Sequence, residues 1–349
     1  MKIAVYPFCR ELFSFVKWYR HFDTENQIVY ALSPSGTALA DHDIAYSVNC
    51  NVEVGIKTLS EYHSSLCEVE SVLVFDDYVI DQEDYEKLRY EAGDSNLPIK
   101  HIGRKTENDF AGPYEKQLSH TAEIMSKYRI AGKYIPHAPV VMIGGFSVEC
   151  GFAETTAILA STLKQKGIRV AALTPTFFSG ADGFYTYPKE FWMEDTHEKR
   201  VMSLNRLIYS IEESYEPQIF LIQMPESLLA FDNKILNDFG YEAQKVLQAV
   251  SADYFVYCSD YRQYLPEMIR RYVSDISKMN RISVKAFMVS NLLFRYHDTQ
   301  MRMKNEFLYL SSKYLESITP SCSDALLIDR MDWNNDGEKL VDHLIAALT

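Results

Sequence analysis

Between Val140 and Leu173 the chain reads VVMIGGFSVECGFAETTAILASTLKQKGIRVAAL. An apolar run leads into a glycine turn, a helical pattern follows, and a second apolar run closes the stretch. Short apolar runs bounded by turn signals are buried strands, and apolar spacing of three and four is a helix packed on one face. A strand, a crossover helix and a second strand in this order make a parallel pair. The rhythm recurs along the chain. KIAVYP, QIVYALSP, SVLVFDD and LPIKHIG read as strands in the first third. RELFSFVKWYRHF, KTLSEYHSSLCEV and QEDYEKLRYEAGD read as helices between them, the last stopped by its glycine. After Pro136, strands are predicted at PVVMIGG, GIRVAALTP, QIFLIQMP, DYFVYCSD, ISVKAFMVSN and DALLID. Helices are predicted at 152–166, 197–214, 241–250, 261–279 and 337–348. The fold class is therefore α/β: two Rossmann-like three-layer domains with mostly parallel sheets, the second built like a P-loop NTPase with a degenerate phosphate loop. The expected domains are residues 1–105 and 137–349, joined by a polar helical linker, 106–136.

Composition narrows the partners. A length of 349 residues suits two domains, and 47% apolar with 24% charged residues is ordinary for a folded chain. A net charge of −13 repels phosphate backbones, and the basic runs are short and set among acids, so nucleic acid is excluded as a partner. No window reaches eighteen apolar residues and MKIAVYPFC is no secretory signal, so no membrane partner is expected and the cytoplasm is the expected location. Cys9, Cys50, Cys67, Cys150, Cys258 and Cys322 show no metal-site spacing and read as reduced thiols. His42 between Asp41 and Asp43 is a lone cluster, and no metal is expected. The 24 tyrosines supply amphipathic surface for protein contact, whether with a peptide or with a second copy of the chain in a homodimer.

The glycine turn is the first place to look for chemistry, because open α/β sheets bind ligands at the carboxyl ends of their strands. Gly144, Gly145, Ser147, Glu149, Cys150, Gly151 and Thr155 form the candidate ligand loop. A helix beginning there directs backbone N–H groups toward the turn, which suits a nucleotide or other anion at 144–151. A working phosphate loop places lysine after its second glycine. Here Phe152 follows Gly151, and Glu149 adds a negative charge. The magnesium-binding acid expected at the end of a later strand is replaced by Gln223. Three readings stay open: a purely structural turn, anion binding without hydrolysis, and true NTP hydrolysis with a lysine from elsewhere, such as Lys133, Lys164 or Lys189. G-x-G-x-x-G spacing is absent. Cys150, just before a helix, is placed for a lowered pKa if it is not simply an inert turn residue.

Other strand ends add Asp76, Asp260 and Asn291 as pocket candidates beside Gln223. The segment SGADGFYTYPKEFW (179–192) is rich in glycine and aromatics, a composition that suits a loop over a pocket or one gripping a peptide, as well as an ordinary surface loop with a few buried aromatics. No nucleophile elbow and no CxxxCxxC cluster occurs. No catalytic residue is assigned, and the residues lean away from an enzyme.

Several stretches in order resemble the clostridial peptide-maturation-system family, whose members are encoded beside radical SAM maturases and short, often Cys-rich precursor peptides. They are MKIAVYPF, IVYALSPSGTALADHDIAY, the glycine-turn stretch, GFYTYPKEFW, PQIFLIQMPESLLAFDNKILNDFGYEAQKVLQAVSADYFVYCSDY and NNDGEKLVDHLIAAL, together most of the chain. The family's glycine loop is itself degenerate but can carry a lysine close to where Gly151 falls, and this chain departs there. The family's magnesium-type aspartate is replaced too, as Gln223 replaces it here. The resemblance implies an accessory role in maturing a ribosomally synthesised, post-translationally modified peptide, with the precursor peptide and the radical SAM maturase as partners. A nucleotide- or phosphate-dependent tailoring enzyme of the same pathway is the alternative.

Overall fold

Two parallel sheets organise the chain, each in its own compact unit: residues 1–117 with 176–182, and residues 118–175 with 183–349. The computed structural model describes residues 1–8, 16, 26–33, 55–57, 66–75, 82–102, 113–175, 183–229, 240–261, 274–290, 292–302, 305–310, 327–329 and 333–348. The fold is mixed α/β and Rossmann-like in both units, as the strand-helix rhythm requires.

In the first unit β1 (Lys2–Tyr6), β2 (Gln27–Leu32), β3 (Gly55–Lys57), β4 (Ser71–Phe75) and β5 (Ile99–Ile102) lie in the order β3-β2-β1-β4-β5. Every pairing is parallel. Strand order reverses between β1 and β4, as in a doubly wound nucleotide-binding half. Helix α1 (Gln82–Asp94) buries Leu88 and Ala92 against Ala4, Tyr6, Leu32, Val72 and Val74. The sequence reading stops this helix with Gly93, but α1 runs through it. The left-handed turn is made at Asn96 (φ 50), and Leu97 N–H closes back on the Ala92 carbonyl at 2.8 Å. Asparagine visits that conformation readily, so the glycine was not needed there.

Helix α2 (Pro113–Lys127) precedes the second sheet. That sheet contains β6 (Val140–Gly145), β7 (Val170–Thr174), β8 (Phe184–Thr186), β9 (Ile219–Gln223), β10 (Tyr254–Ser259), β11 (Val284–Val289) and β14 (Leu327–Asp329). Its order is β14-β11-β10-β6-β9-β7-β8, all parallel. Strands β6, β7, β9 and β10 are buried at every position, which explains their unbroken apolar runs. A separate antiparallel hairpin pairs β12 (Leu292–Phe294) with β13 (Phe307–Tyr309).

Helix α3 (Phe152–Gln165) leaves the glycine turn and buries Phe152, Thr155, Thr156, Leu159 and Leu163 at helical spacing. It closes in a Schellman arrangement: Gly167 N–H bonds the Lys164 carbonyl and Ile168 N–H the Leu163 carbonyl. The segment 184–193 differs from the loop expected of it. Phe184 and Tyr185 on β8, Tyr187 just after it and Phe191 on the short helix α4 (Lys189–Met193) are buried. Those aromatics belong to the core; residues 179–182 of the same stretch lie outside the described ones.

Helix α5 (His197–Tyr215) starts from a Thr196 N-cap that accepts the Lys199 N–H. Its polar face turns inward onto the connector that feeds β6. Asn205 bonds both backbone groups of Tyr134 and the Ala249 carbonyl, each at 2.8 Å. Arg206 donates to the Met125 and Tyr128 carbonyls. Glu212 accepts from the His137 and Ala138 amides and from the Tyr134 hydroxyl. Helix α6 (Tyr241–Ala249) packs beside α5, and α7 (Tyr296–Arg302) links β12 to β13. The last helix, α8 (Trp333–Leu348), begins four residues before the predicted start. Gly337 lies inside it where α8 meets α3; a Cβ there would sit 2.7 Å from Ile158 Cγ2. No helix among the described residues is long and apolar enough to cross a membrane.

Candidate functional site

The glycine turn stands at the carboxyl end of β6, where the strand order of the second sheet reverses, with β9 on one side and β10 on the other. This is the position at which such sheets bind ligands. After Gly145 the chain passes Phe146 and Ser147 into a single 3-10 turn, Val148–Cys150, then Gly151 in the left-handed region (φ 94), then α3. The turn is tight. Phe146 N–H donates to the Cys258 carbonyl, Cys150 N–H to the Ser147 carbonyl, and Thr155 N–H to the Gly151 carbonyl. The Phe146 and Cys150 amides of the turn thus hold the backbone itself.

The side chains follow the same course. Phe152, in the place of the expected lysine, is fully buried. The buried Ser147 hydroxyl donates to the Glu149 carboxylate, which lies back across the turn. Thr155 is buried and its hydroxyl meets Cys258 Sγ at 3.5 Å. Gly144 is closed off by the Met224 side chain, 2.5 Å from where a Cβ would stand. Lys164 cannot supply a missing lysine. It lies twelve residues beyond Phe152, about 18 Å along the helix, and its ammonium rests over the Phe184 ring at 5.4 Å.

Of the two readings left open for Cys150, the structure fits the inert one. A helix start lowers a thiol pKa only where charge can be solvated. Cys150 is buried, and burial, with the Asp260 and Glu149 carboxylates adding to it, pushes its thiol well above the ordinary value. Burial likewise raises the Cys258 thiol, to about 12. Both groups stay protonated and unreactive at neutral pH. Brief treatment of the native protein with iodoacetamide at pH 8, followed by peptide mass mapping, is expected to modify the exposed Cys67 and to leave Cys150 and Cys258 untouched until urea is added. Modification of Cys150 at the rate of Cys67 would contradict this account.

The other strand ends are resolved individually. Asp260, fully buried after β10, accepts the Phe294 amide at 3.1 Å and so anchors the β12–β13 hairpin. Through that anchor, Phe294 packs edge-on against Phe146 of the turn at 5.3 Å and against Phe307 at 5.3 Å. Strands of three residues leave too little alternation to be read from sequence, so this aromatic cover over the turn was not anticipated. Ser290 donates to the Ser259 carbonyl. Asp76, Asn291 and the Asp41–Asp43 cluster lie outside the described residues. Among the described residues no group of three His, Cys, Asp or Glu could hold a metal ion.

Gln223 ends β9, the strand directly beside β6, so it does occupy the magnesium-acid position of this sheet. Register fixes its direction. Gln223 pairs with Ile143, Ile143 with Val256, and Cys258 with Gly145. Alternation therefore puts Gln223, Val256, Cys258 and Tyr254 on one face. Cys258 touches Thr155 of α3 and Tyr254 bonds His343 of α8, so that face is the one α3 and α8 cover. The Gln223 side chain, only 4% exposed, thus lies on the face that α3 and α8 cover, and among the described residues its Oε1 has no hydrogen-bond partner.

No family model matches the chain and no curated protein matches it. Among solved structures it is similar to a DUF1611 family protein from Anabaena variabilis, at 12% identity and a TM-score of 0.57, covering 99% of each chain. At that identity the likeness shows the fold alone, here along the whole chain. A pseudomurein peptide ligase type C from Methanothermus fervidus is also 12% identical, over 82% of this chain and 43% of that one, but its TM-score of 0.28 carries no argument.

Proposed function

We propose that this chain is an accessory protein in the maturation of a ribosomally synthesised, post-translationally modified peptide, binding the precursor peptide, its radical SAM maturase, or both. The family resemblance of its sequence supplies the pathway. The observation that carries the non-enzymatic reading is Phe152 buried in the core where a phosphate loop needs lysine. Gln223 in place of the magnesium acid, and Glu149 held across the turn by Ser147, support it further. Phosphoryl transfer depends on positioned cations, and the turn has none: residues 144–156 contain no lysine or arginine. The strand-turn-helix arrangement of the site favours the alternative, a tailoring enzyme with a nucleotide or phosphate ligand.

Isothermal titration separates the two. The protein is titrated with ATP and GTP, each with magnesium, and then with the precursor peptide encoded beside it. No nucleotide heat with micromolar binding of the peptide is the expected result. Micromolar nucleotide binding that is lost in Gly151→Glu would overturn the accessory reading in favour of the enzyme.

A further inference from the structure

The connector that feeds β6 is held firmly, yet it leaves one side chain in water. Both backbone groups of Tyr134 bond the Asn205 amide at 2.8 Å, its hydroxyl meets Glu212, and the His137 and Ala138 amides reach the same carboxylate. The Tyr134 ring packs on Tyr209 at 4.8 Å, and Tyr209 on Tyr128 at 6.3 Å. Ile135, the next residue, is 80% exposed, more than any other large apolar side chain among the described residues. A lone exposed isoleucine is ordinary; here the backbone that carries it is unpaired as well. Ile135 precedes Pro136 and is therefore extended. In an extended chain the N–H and C=O of one residue face one side and those of the next face the other. Those of Tyr134 face Asn205 of α5, so those of Ile135 face away, and among the described residues they have no partner. The exposed Arg129 and Lys133 have no ion partner among the described residues either. Residues 128–140 contain no acid, in a chain of net charge −13.

We propose that the connector around Ile135 is a docking strand for an extended segment of the precursor peptide that carries both acidic and apolar side chains. The segment pairs its backbone with the Ile135 N–H and C=O, lays an apolar side chain on Ile135, and brings carboxylates to Arg129 and Lys133. The clamp from α5 fixes the strand in advance, so little ordering of this side remains to be done on binding. This rests on the peptide-binding reading above and names the chemistry the peptide brings.

The full chain is titrated with the precursor peptide, with a short peptide alternating glutamate and valine, and with its glutamine–valine counterpart. The first two are expected to bind, more weakly as salt is raised, and the neutral one at least about threefold more weakly than its acidic counterpart. Ile135→Ser is expected to lower affinity for all three by about tenfold. Lys133→Glu lowers it by about three- to tenfold for the acidic peptides and little for the neutral one. Met193→Ser, at another exposed apolar position, is expected to change nothing. All three variants should keep the wild-type Tm within about 2 °C, so a lost affinity is not lost folding. Hydrogen exchange reads the backbone directly: peptide binding is expected to slow the Ile135 amide at least about tenfold and to leave the Tyr134 amide, already bonded to Asn205, unchanged. An Ile135 amide that exchanges equally fast with peptide bound overturns the strand pairing. Precursor binding unchanged in Ile135→Ser and Lys133→Glu overturns the surface and leaves the accessory function standing. Ile135-dependent binding of the glutamate–valine peptide without binding of the precursor overturns the precursor as occupant. A dimer of the wild type that Ile135→Ser dissociates overturns it in favour of a second copy of the chain. Failure of the wild type to bind either acidic peptide overturns both the surface and the peptide reading.

Discussion

Gly145→Ala is expected to unfold the second unit under conditions where the wild type is stable. A Cβ at this position would lie 1.9 Å from the Cys258 carbonyl oxygen and 2.6 Å from its amide nitrogen. Neither atom can give way. Cys258 is the register partner of Gly145 in the central strand pair, and its carbonyl also receives the Phe146 amide. On the other side, the Gly145 carbonyl accepts the Leu228 amide at 3.0 Å. Relieving the clash means separating β6 from β10 in the middle of the sheet, a loss of more than about 3 kcal/mol. Urea unfolding followed by tryptophan fluorescence checks it, since Trp192 and Trp333 both belong to this unit. The midpoint is expected to fall by more than about 1 M. Gly93→Ala is the contrast: a Cβ there meets nothing within 4 Å, and helix propensity makes the change neutral or stabilising by about 0.5 kcal/mol. Equal midpoints for Gly145→Ala and wild type would show that the turn is looser than described.

Asn205→Ala is expected to cost about 2–4 kcal/mol although it removes no apolar contact of any size. Asn205 is fully buried, and its amide satisfies the Tyr134 amide, the Tyr134 carbonyl and the Ala249 carbonyl. Without it, one donor and two acceptors in and around the connector lose this partner. The effect should couple to that of Glu212→Ala, which frees the amides of His137 and Ala138 a few residues on. Ser214→Ala, on the same helix, is the control. Its hydroxyl only returns to the Ser210 and Ile211 carbonyls of its own helix, so a change within about 0.5 kcal/mol is expected. If Asn205→Ala matched Ser214→Ala in a denaturation series, the connector would not depend on α5.

These two residues mark the boundary of what could be read in advance. Gly145 was visible as part of a strand-turn-helix signal, and the structure adds the reason: the neighbouring strand passes too close for any side chain. Asn205 was invisible. In sequence it is one more polar residue on an amphipathic helix, which ordinarily means a solvated face. The connector it fastens carries no periodic pattern, so nothing local announces the pairing across seventy residues. The same limit governed Cys150. A position before a helix suggests an activated thiol, while the actual burial, and the Asp260 carboxylate that adds to it, come from a strand more than a hundred residues away. The aromatics of 184–191 left a binding loop and a surface loop with a few buried rings both open; what the sequence did not show was the extra parallel strand, β8, and the short helix α4 on which most of them are buried.

By itself the sequence determined the two-sheet α/β architecture, the strands of the second sheet other than β8, the position of the glycine turn and the loss of lysine at Phe152. All of these rest on local facts: apolar period, turn residues, and which side chain follows a glycine. Only the tertiary structure decided that β9 lies directly beside β6, which makes Gln223 the occupant of the magnesium-acid position. It alone set Gln223 on the sheet face that α3 covers, folded Glu149 onto Ser147, and laid Phe294 over Phe146. Strand order and side-chain pairing are contacts between residues far apart in the chain, and the free energy of a buried polar group depends on those contacts rather than on its neighbours in sequence.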